Sequence, residues 1–464
     1  MIDASGDDDT LIRHALKDAR ETRALQVGAG LRHAAADLFQ QEFGRQPAVI
    51  VADRNTFAAA GSDVLESFRM NGIGCGEPYI FNDPDLYAEY GYFERLLEAL
   101  AGRSEFVPVA VGSGTINDLV KLFAHRVGRP YLAVATAASM DGYTAFGASI
   151  TRDGLKQTFE CPAPVAVLAD LEVIAAAPEG LNASGYADLA AKLTAGADWL
   201  VADALGVEPV DVPAWATVQE RLRWWLDDPA GVRGGDRESV RRLTTGLMMG
   251  GFAMQRTRTS RPASGAEHQF SHLWDMQGHT HHGRAPSHGF KVGIGTLASV
   301  ALYEQLLAEP LDEIDVEACC NQWIDRSAAE SEARAAFDTH ELTECAIRET
   351  TAKHVETAEL RNQLLRLKQR WPDLKERLTE RLVPFDALQQ MLRDAGCPAE
   401  PEEIGISRER LLTSYRQASY IRRRFTVLDL ARRTGLFERC LARMFAPGGR
   451  WDLTRPVGPQ AHSA

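Results

Sequence analysis

"VAVGSGTINDLVKLF", residues 109–123, joins a β-prone apolar run to an amphipathic helical pattern through Gly112-Ser113-Gly114 and then Thr115. Such a turn lets backbone amides approach an anion closely while the positive end of the helix faces it, which is how pyrophosphate is held. The alternative is a glycine turn that only reverses the chain. An ordinary dinucleotide fingerprint is not met, because Asn117 stands where a third glycine belongs. The loop also follows the second strong strand, not the first, with an acidic strand end, Asp53, upstream of it.

Working outward, "PAVIVAD" (47–53), "YLAVATA" (131–137) and "PVAVLAD" (164–170) are further uninterrupted apolar runs bounded by Gly, Pro or Asp. Strands buried on both faces look like this, so a parallel α/β sheet is expected. Asp153-Gly154 between β-prone flanks predicts an appended hairpin. In "TAASMDGYTAFG" (136–147), small and hydroxyl residues from Thr136 to Ser139 follow a strand end and lead to Asp141. Ligands of open α/β sheets sit beyond the carboxyl ends of strands, so two small-residue loops at one edge favour the nucleotide reading.

Beyond about residue 178 the β-rich runs give way to Ala-, Leu-, Glu- and Arg-rich patterns, as at 320–340, 353–370 and 408–443. The expected organisation is an α/β nucleotide-binding domain over 1–177, an all-helical domain over 178–447, and a flexible tail over 448–464. In "YIRRRFTVLDLARR" (420–433) a helix is expected to pack Phe425, Val427, Leu428 and Leu430. Its arginines would then face solvent, a substrate phosphate or a second subunit.

With 464 residues, 45% hydrophobic and 25% charged, the chain belongs with globular proteins. Fifty-one basic against 64 acidic side chains give a net charge of −13, which argues against nucleic acid and anionic membranes as partners. Seven cysteines without a CxxC pair predict free thiols in a reducing compartment. The acidic start "MIDASGDDDT" lacks signal-peptide features, and no apolar run is long enough to span a bilayer, so a cytoplasmic protein is expected.

Six of the 12 histidines fall in "SGAEHQFSHLWDMQGHTHHGRAPSHG" (264–289). His268 and His272 are four apart, a spacing that chelates a metal on one helix face. A catalytic ion commonly takes about three protein ligands and keeps an open position. Further candidates are His288, before Gly289, and Asp188 in "GYADLAAKL". Taken singly, a buried histidine is more often a hydrogen-bonded core residue, and an aspartate a cap or surface charge. His279, His281 and His282, crowded among glycines, read as a flexible polar loop.

The series "GSGTIND" (112–118), "TAASMDGY" (136–143), "GYADLAAKLTAGADW" (185–199), "SRPASGAEHQFSHLW" (260–274) and "HGFKVGIGTL" (288–297) resembles the motifs of sn-glycerol-1-phosphate dehydrogenases. These belong to the iron-containing alcohol dehydrogenase and dehydroquinate synthase superfamily. Residues 402–430 further resemble the C-terminal extension of the bacterial branch. The resemblance implies a dehydroquinate synthase-like fold with NAD or NADP and a small phosphorylated substrate bound between the two domains. It implies Asp188, His268 and His288 as ligands of one divalent ion, zinc, nickel or iron, with His272 turned to the substrate. Gly112, Ser113, Gly114, Thr115 and Ile116, with Thr136 and Ser139, would contact the dinucleotide. Asp141 and Asp188 would meet the substrate, and Arg261 and Lys291 are candidates for its phosphate. The implied reaction is hydride transfer between dihydroxyacetone phosphate and sn-glycerol 1-phosphate in a homodimer. The rivals are a dehydrogenase of another polyol or polyol phosphate, a sugar-phosphate cyclase, and a metal- and nucleotide-binding scaffold without turnover.

Overall fold

A computed structural model describes residues 8–455 apart from 104 and 153. Six strands form one parallel sheet: β1 (Ala24–Gly28), β2 (Ala48–Asp53), β3 (Tyr79–Phe81), β4 (Val107–Gly112), β5 (Leu132–Ala135) and, after a separate antiparallel pair, β8 (Ala166–Asp170). The pair is β6 (Ala148–Arg152) with β7 (Leu155–Phe159), which is the expected hairpin, although Asp153 of its turn lies outside the described residues. The order across the sheet is β1-β8-β5-β4-β2-β3.

Four strands coincide with the apolar runs, and β2, β4, β5 and β8 are buried nearly throughout, as strands covered on both faces must be. The strand order fixes a switch point: β2 connects outward to its neighbour β3, whereas β4 connects the other way to β5. Ligands of open parallel sheets bind at such a reversal, beyond the carboxyl ends of the two strands. Here those ends are Asp53 and Gly112. Leu38, Phe39, Ile50, Val64, Phe68 and Val109 belong to the core on which the sheet rests.

Packing divides the chain into two compact units that interleave in sequence. The first holds the sheet and comprises Met1–Leu189, Pro213–Ala263 and Asp394–Gly396. The second comprises Ala190–Val212, Ser264–Arg393 and Cys397–Ala464 and is helical, without a strand among its described residues. Two long helices of this second unit, Ala266–Met276 and His288–Leu307, pack closely on each other. Part of the expected tail is anchored: Trp451 is fully buried, stacks edge-on against Phe385 and donates its indole N–H to Tyr415 Oη at 3.1 Å. Residues 456–464 lie outside the described residues.

The expected continuous helix over 420–433 is corrected. One helix ends at Ala418 and the next is Val427–Arg433, with non-helical backbone between them. Thr426 starts the second helix through a capping box, its N–H donating to Asp429 Oδ2 at 2.9 Å. Phe425, Val427, Leu428 and Leu430 are buried as expected, but the arginines do not simply face solvent. Arg424 donates to the Ser264 carbonyl at 2.8 Å, and Arg433 is itself buried.

Candidate functional site

Within the first unit, β4 runs into the helix Gly114–Arg126 with Ser113 at its N-cap in extended conformation. The following loop, 136–143, is tied to this turn: Thr136 N–H donates to Gly112 O at 3.2 Å, and Tyr143 Oη–H lies 3.2 Å from the same carbonyl. Asn117, the residue that spoils the fingerprint, has a structural use. Its amide donates to Gly142 O at 3.3 Å while its own Oδ1 accepts from Tyr131. Lys121, with a fully buried side chain, donates to the carbonyls of Gly142, Ala145 and Gly147 at 2.9, 2.8 and 3.0 Å. Burial lowers the Lys121 pKa and raises that of nearby Asp118 to about 6 against the pull of Lys121.

The helix Glu179–Ala190 carries Asp188 and grips the same loop. Asn182 Oδ1 accepts from Ala138 N–H at 3.0 Å, and Asp188 Oδ2 accepts from Asp141 N–H at 3.1 Å. Between them sits Gly185, where a Cβ would lie 1.7 Å from Ala138 O, so only glycine permits this approach. Asp188 is fully buried, and the chain thereby sets it beside the Ser139–Asp141 stretch predicted to receive ligands.

Within the second unit, the helix Ala266–Met276 presents His268 and His272, and His288 opens the helix His288–Leu307 with Ser287 as its cap. The two helices can meet closely because Gly295 faces Glu267, where a Cβ would lie 2.4 Å from the Glu267 carbonyl oxygen. The rings of His268 and His288 are 5.3 Å apart between centroids. The start of the first helix is fixed by buried Asp198, which accepts from Ala266 N–H and Val427 N–H, both at 2.8 Å.

Glu267 is completely buried beside His268 and accepts from its Nδ1 at 2.8 Å and from Thr194 Oγ1 at 2.6 Å. Burial by itself would raise this carboxyl, but the hydrogen bonds from His268, Thr194 and Gly265 outweigh it and hold the pKa below its ordinary value. A carboxylate on Nδ1–H leaves the lone pair of His268 on Nε2, the arrangement that metal-binding imidazoles use. Ligand atoms of Asp188, His268 and His288 all lie within 4.8 Å of one another. One carboxylate and two imidazoles, one of them already oriented, fit a divalent ion that keeps an open position. His272, the other half of the four-residue spacing, is not part of that group. Its Nδ1 instead faces Arg422, and a guanidinium can only donate there, so neutral His272 carries its proton on Nε2.

The remaining candidates divide. Lys291 is buried and ion-paired with Asp275, so its charge is already engaged. Arg261 is buried, at 1% exposure. The other histidines do lie in a loop between the two helices, but His279 departs from the expected flexible polar segment: it is buried, donates from Nε2 to Ile404 O at 2.7 Å and meets Arg410 at Nδ1. His281 and Arg284 exchange backbone hydrogen bonds across a tight turn in which His282 and Gly283 have φ of 50° and 79°. Glu267, Asn182 and Lys121 were missed as contributors, and Arg422, expected to face solvent, a substrate phosphate or a second subunit, meets His272 instead. Only Glu267, directly before the first histidine, carried a signal in the sequence.

The family model of iron-containing alcohol dehydrogenases matches residues 26–178. The structure resembles the solved glycerol dehydrogenase of Schizosaccharomyces pombe with a TM-score of 0.56 at 15% identity, covering 93% of this chain and 92% of that one. It likewise resembles maleylacetate reductase from Agrobacterium tumefaciens, with a TM-score of 0.55 at 14% identity over 91% of this chain and 96% of the other. The family model and the fold thus define a protein of the iron-containing alcohol dehydrogenase and dehydroquinate synthase-like class. Over 312 residues the chain is 33% identical to glycerol-1-phosphate dehydrogenase [NAD(P)+] of Halalkalibacterium halodurans, covering 63% of this chain and 77% of that protein. A second such enzyme, from Geobacillus stearothermophilus, is 28% identical over 424 residues, 87% of this chain and 95% of its own. The chain belongs to the glycerol-1-phosphate dehydrogenase family.

Proposed function

We propose that this chain is a metal-dependent, NAD(P)-linked dehydrogenase that interconverts dihydroxyacetone phosphate and sn-glycerol 1-phosphate. The observation that carries the reading is the convergence of Asp188, His268 and His288 in a member of this family. When bound, a zinc, nickel or iron ion supplies Lewis acidity to the substrate oxygen and the nicotinamide supplies the hydride. Asp188, His268 and His288 hold the ion, and Glu267 keeps His268 in the tautomer that binds it. His272 faces the substrate and gives or takes a proton at Nε2, with Arg422 holding its other nitrogen as an acceptor. Asp141, whose backbone is fastened to Asp188, binds the substrate. Gly112 to Ile116, Thr136 and Ser139 receive the dinucleotide at the switch point of the sheet. Arg261 or Lys291, both buried, takes the substrate phosphate.

The same reading takes the protein as a cytoplasmic homodimer serving phospholipid metabolism. Its seven free cysteines accord with a reducing compartment, and no described helix is long and apolar enough to cross a membrane. The test is consumption of NADH or NADPH with dihydroxyacetone phosphate, after chelation and re-addition of each divalent ion singly. Turnover should need the ion and should vanish in Asp188→Asn. Failure to oxidise either nucleotide with any of the ions, or undiminished turnover in that variant, defeats the proposal.

A further inference from the structure

The helical second unit contains a cavity of about 520 Å³ that shares no residue with the group formed by Asp188, His268 and His288. Its size lies in the range of small-molecule sites, well beyond what a single simple ion fills. Lys353, Asp429, Arg432 and Arg433 stand in its wall. Lys353 pairs with Asp429 at 2.7 Å, whereas Arg433 spends its donors on Gln363 and on the Lys353 carbonyl, and Arg432 donates to the Arg416 carbonyl at 2.8 Å. Three cations therefore share one carboxylate. The other acids of the wall are committed elsewhere, Glu438 to Arg416 at 2.8 Å and Glu332 to Tyr420 at 3.3 Å. Across the whole wall Lys353, Arg416, Arg432 and Arg433 stand against Glu332, Asp429 and Glu438, an excess of one positive charge.

Three buried polar atoms of the same wall have no hydrogen-bond partner: Thr350 Oγ1, Ser419 Oγ and Arg432 Nε. Thr350 and Ser419 are only 7% and 1% exposed, and native proteins seldom leave such groups unsatisfied. Flat surfaces complete the cavity. The Trp323 and His354 rings are stacked at 5.6 Å, and the Arg432 guanidinium lies 4.8 Å from the Tyr420 ring centroid and 4.4 Å from that of Phe437. An excess of cationic and hydroxyl donors beside planar walls recognises an anionic head on a planar body.

We propose that this cavity is a second ligand site, which binds a small organic anion with a planar body independently of the metal-binding group. Phenyl phosphate is a suitable probe and phenol its uncharged control, each titrated calorimetrically into the full chain. Wild type and Asp188→Asn should bind phenyl phosphate with equal affinity, phenol should bind at least tenfold more weakly, and Arg432→Gln should weaken phenyl phosphate at least tenfold. Thr350→Val, nearly isosteric, should weaken it about threefold and decides the matter if circular dichroism shows Arg432→Gln misfolded. Wild-type affinity in both cavity variants, or phenol binding as tightly as its phosphate ester, overturns the proposal. Because Asp188→Asn reports on the other site, this outcome is separable from failure of the dehydrogenase reading.

Discussion

Replacing Gly185 by alanine tests how the Asp188 helix positions the ligand loop. The substitution should gain about 1 kcal/mol of intrinsic helix propensity. Against this, the new Cβ would sit 1.7 Å from Ala138 O, where real contacts stay beyond 3.0 Å, so helix and loop must separate by roughly 1 Å or more. The carbonyl cannot easily swing aside, because the Ala138 N–H is held by Asn182 and the Ala137 carbonyl by Tyr143 at 2.9 Å. Overpacking against a fixed backbone costs about 1–3 kcal/mol or more, so the steric term wins and the variant is less stable. The larger effect falls on activity: Ser139 and Asp141 move with the loop, and a displacement of about 1 Å in a catalytic array costs on the order of 100-fold in rate. Urea denaturation and kcat/KM for dihydroxyacetone phosphate reduction are the assays. A Gly185→Ala protein as stable as wild type, with turnover within threefold, refutes the argument that this close approach sets the site.

Three further substitutions probe other contacts. Glu267→Gln removes the carboxylate that orients His268, and affinity for the divalent ion, read by competition with a chromophoric chelator, should fall about 10–100-fold; unchanged affinity would show that the contact is only structural. Arg422→Met releases Nδ1 of His272 and withdraws a neighbouring positive charge, so kcat should drop about tenfold and the acid limb of its pH profile should move upward. An unmoved limb argues against proton transfer at His272. Asp118→Asn addresses stability, since burial raises that carboxyl from 3.8 to about 6 and the fold prefers its neutral form. The stabilisation from its protonated state is complete below the unfolded value and is lost as pH rises through about 6. Wild type should therefore lose up to about 3 kcal/mol relative to the variant across that interval, and parallel urea curves on both sides of it would contradict the burial argument.

Local chemistry was legible wherever a short segment decides its own conformation. The apolar runs that became β2, β4, β5 and β8, and the glycine turn between strand and helix, follow from burial and backbone freedom within a few residues. β1 and β3 escaped notice because they stand at the two edges of the sheet, and β3 is only three residues long. Residues 420–433 read as one helix because the interruption at Thr426 depends on a cap to Asp429 inside an otherwise helical composition.

The grouping of Asp188, His268 and His288 was legible only by likeness to relatives. Spacing alone pairs His268 with His272, yet His288 is the histidine that joins His268 and Asp188. That choice depends on how closely two helices pack at Gly295 and on a buried glutamate that turns one ring. Sequence periodicity reports which face of a helix is apolar, and so it determined the elements and their order along the chain. Which donors meet is set by angles and distances between elements far apart in sequence, and those arise only when the core closes around them.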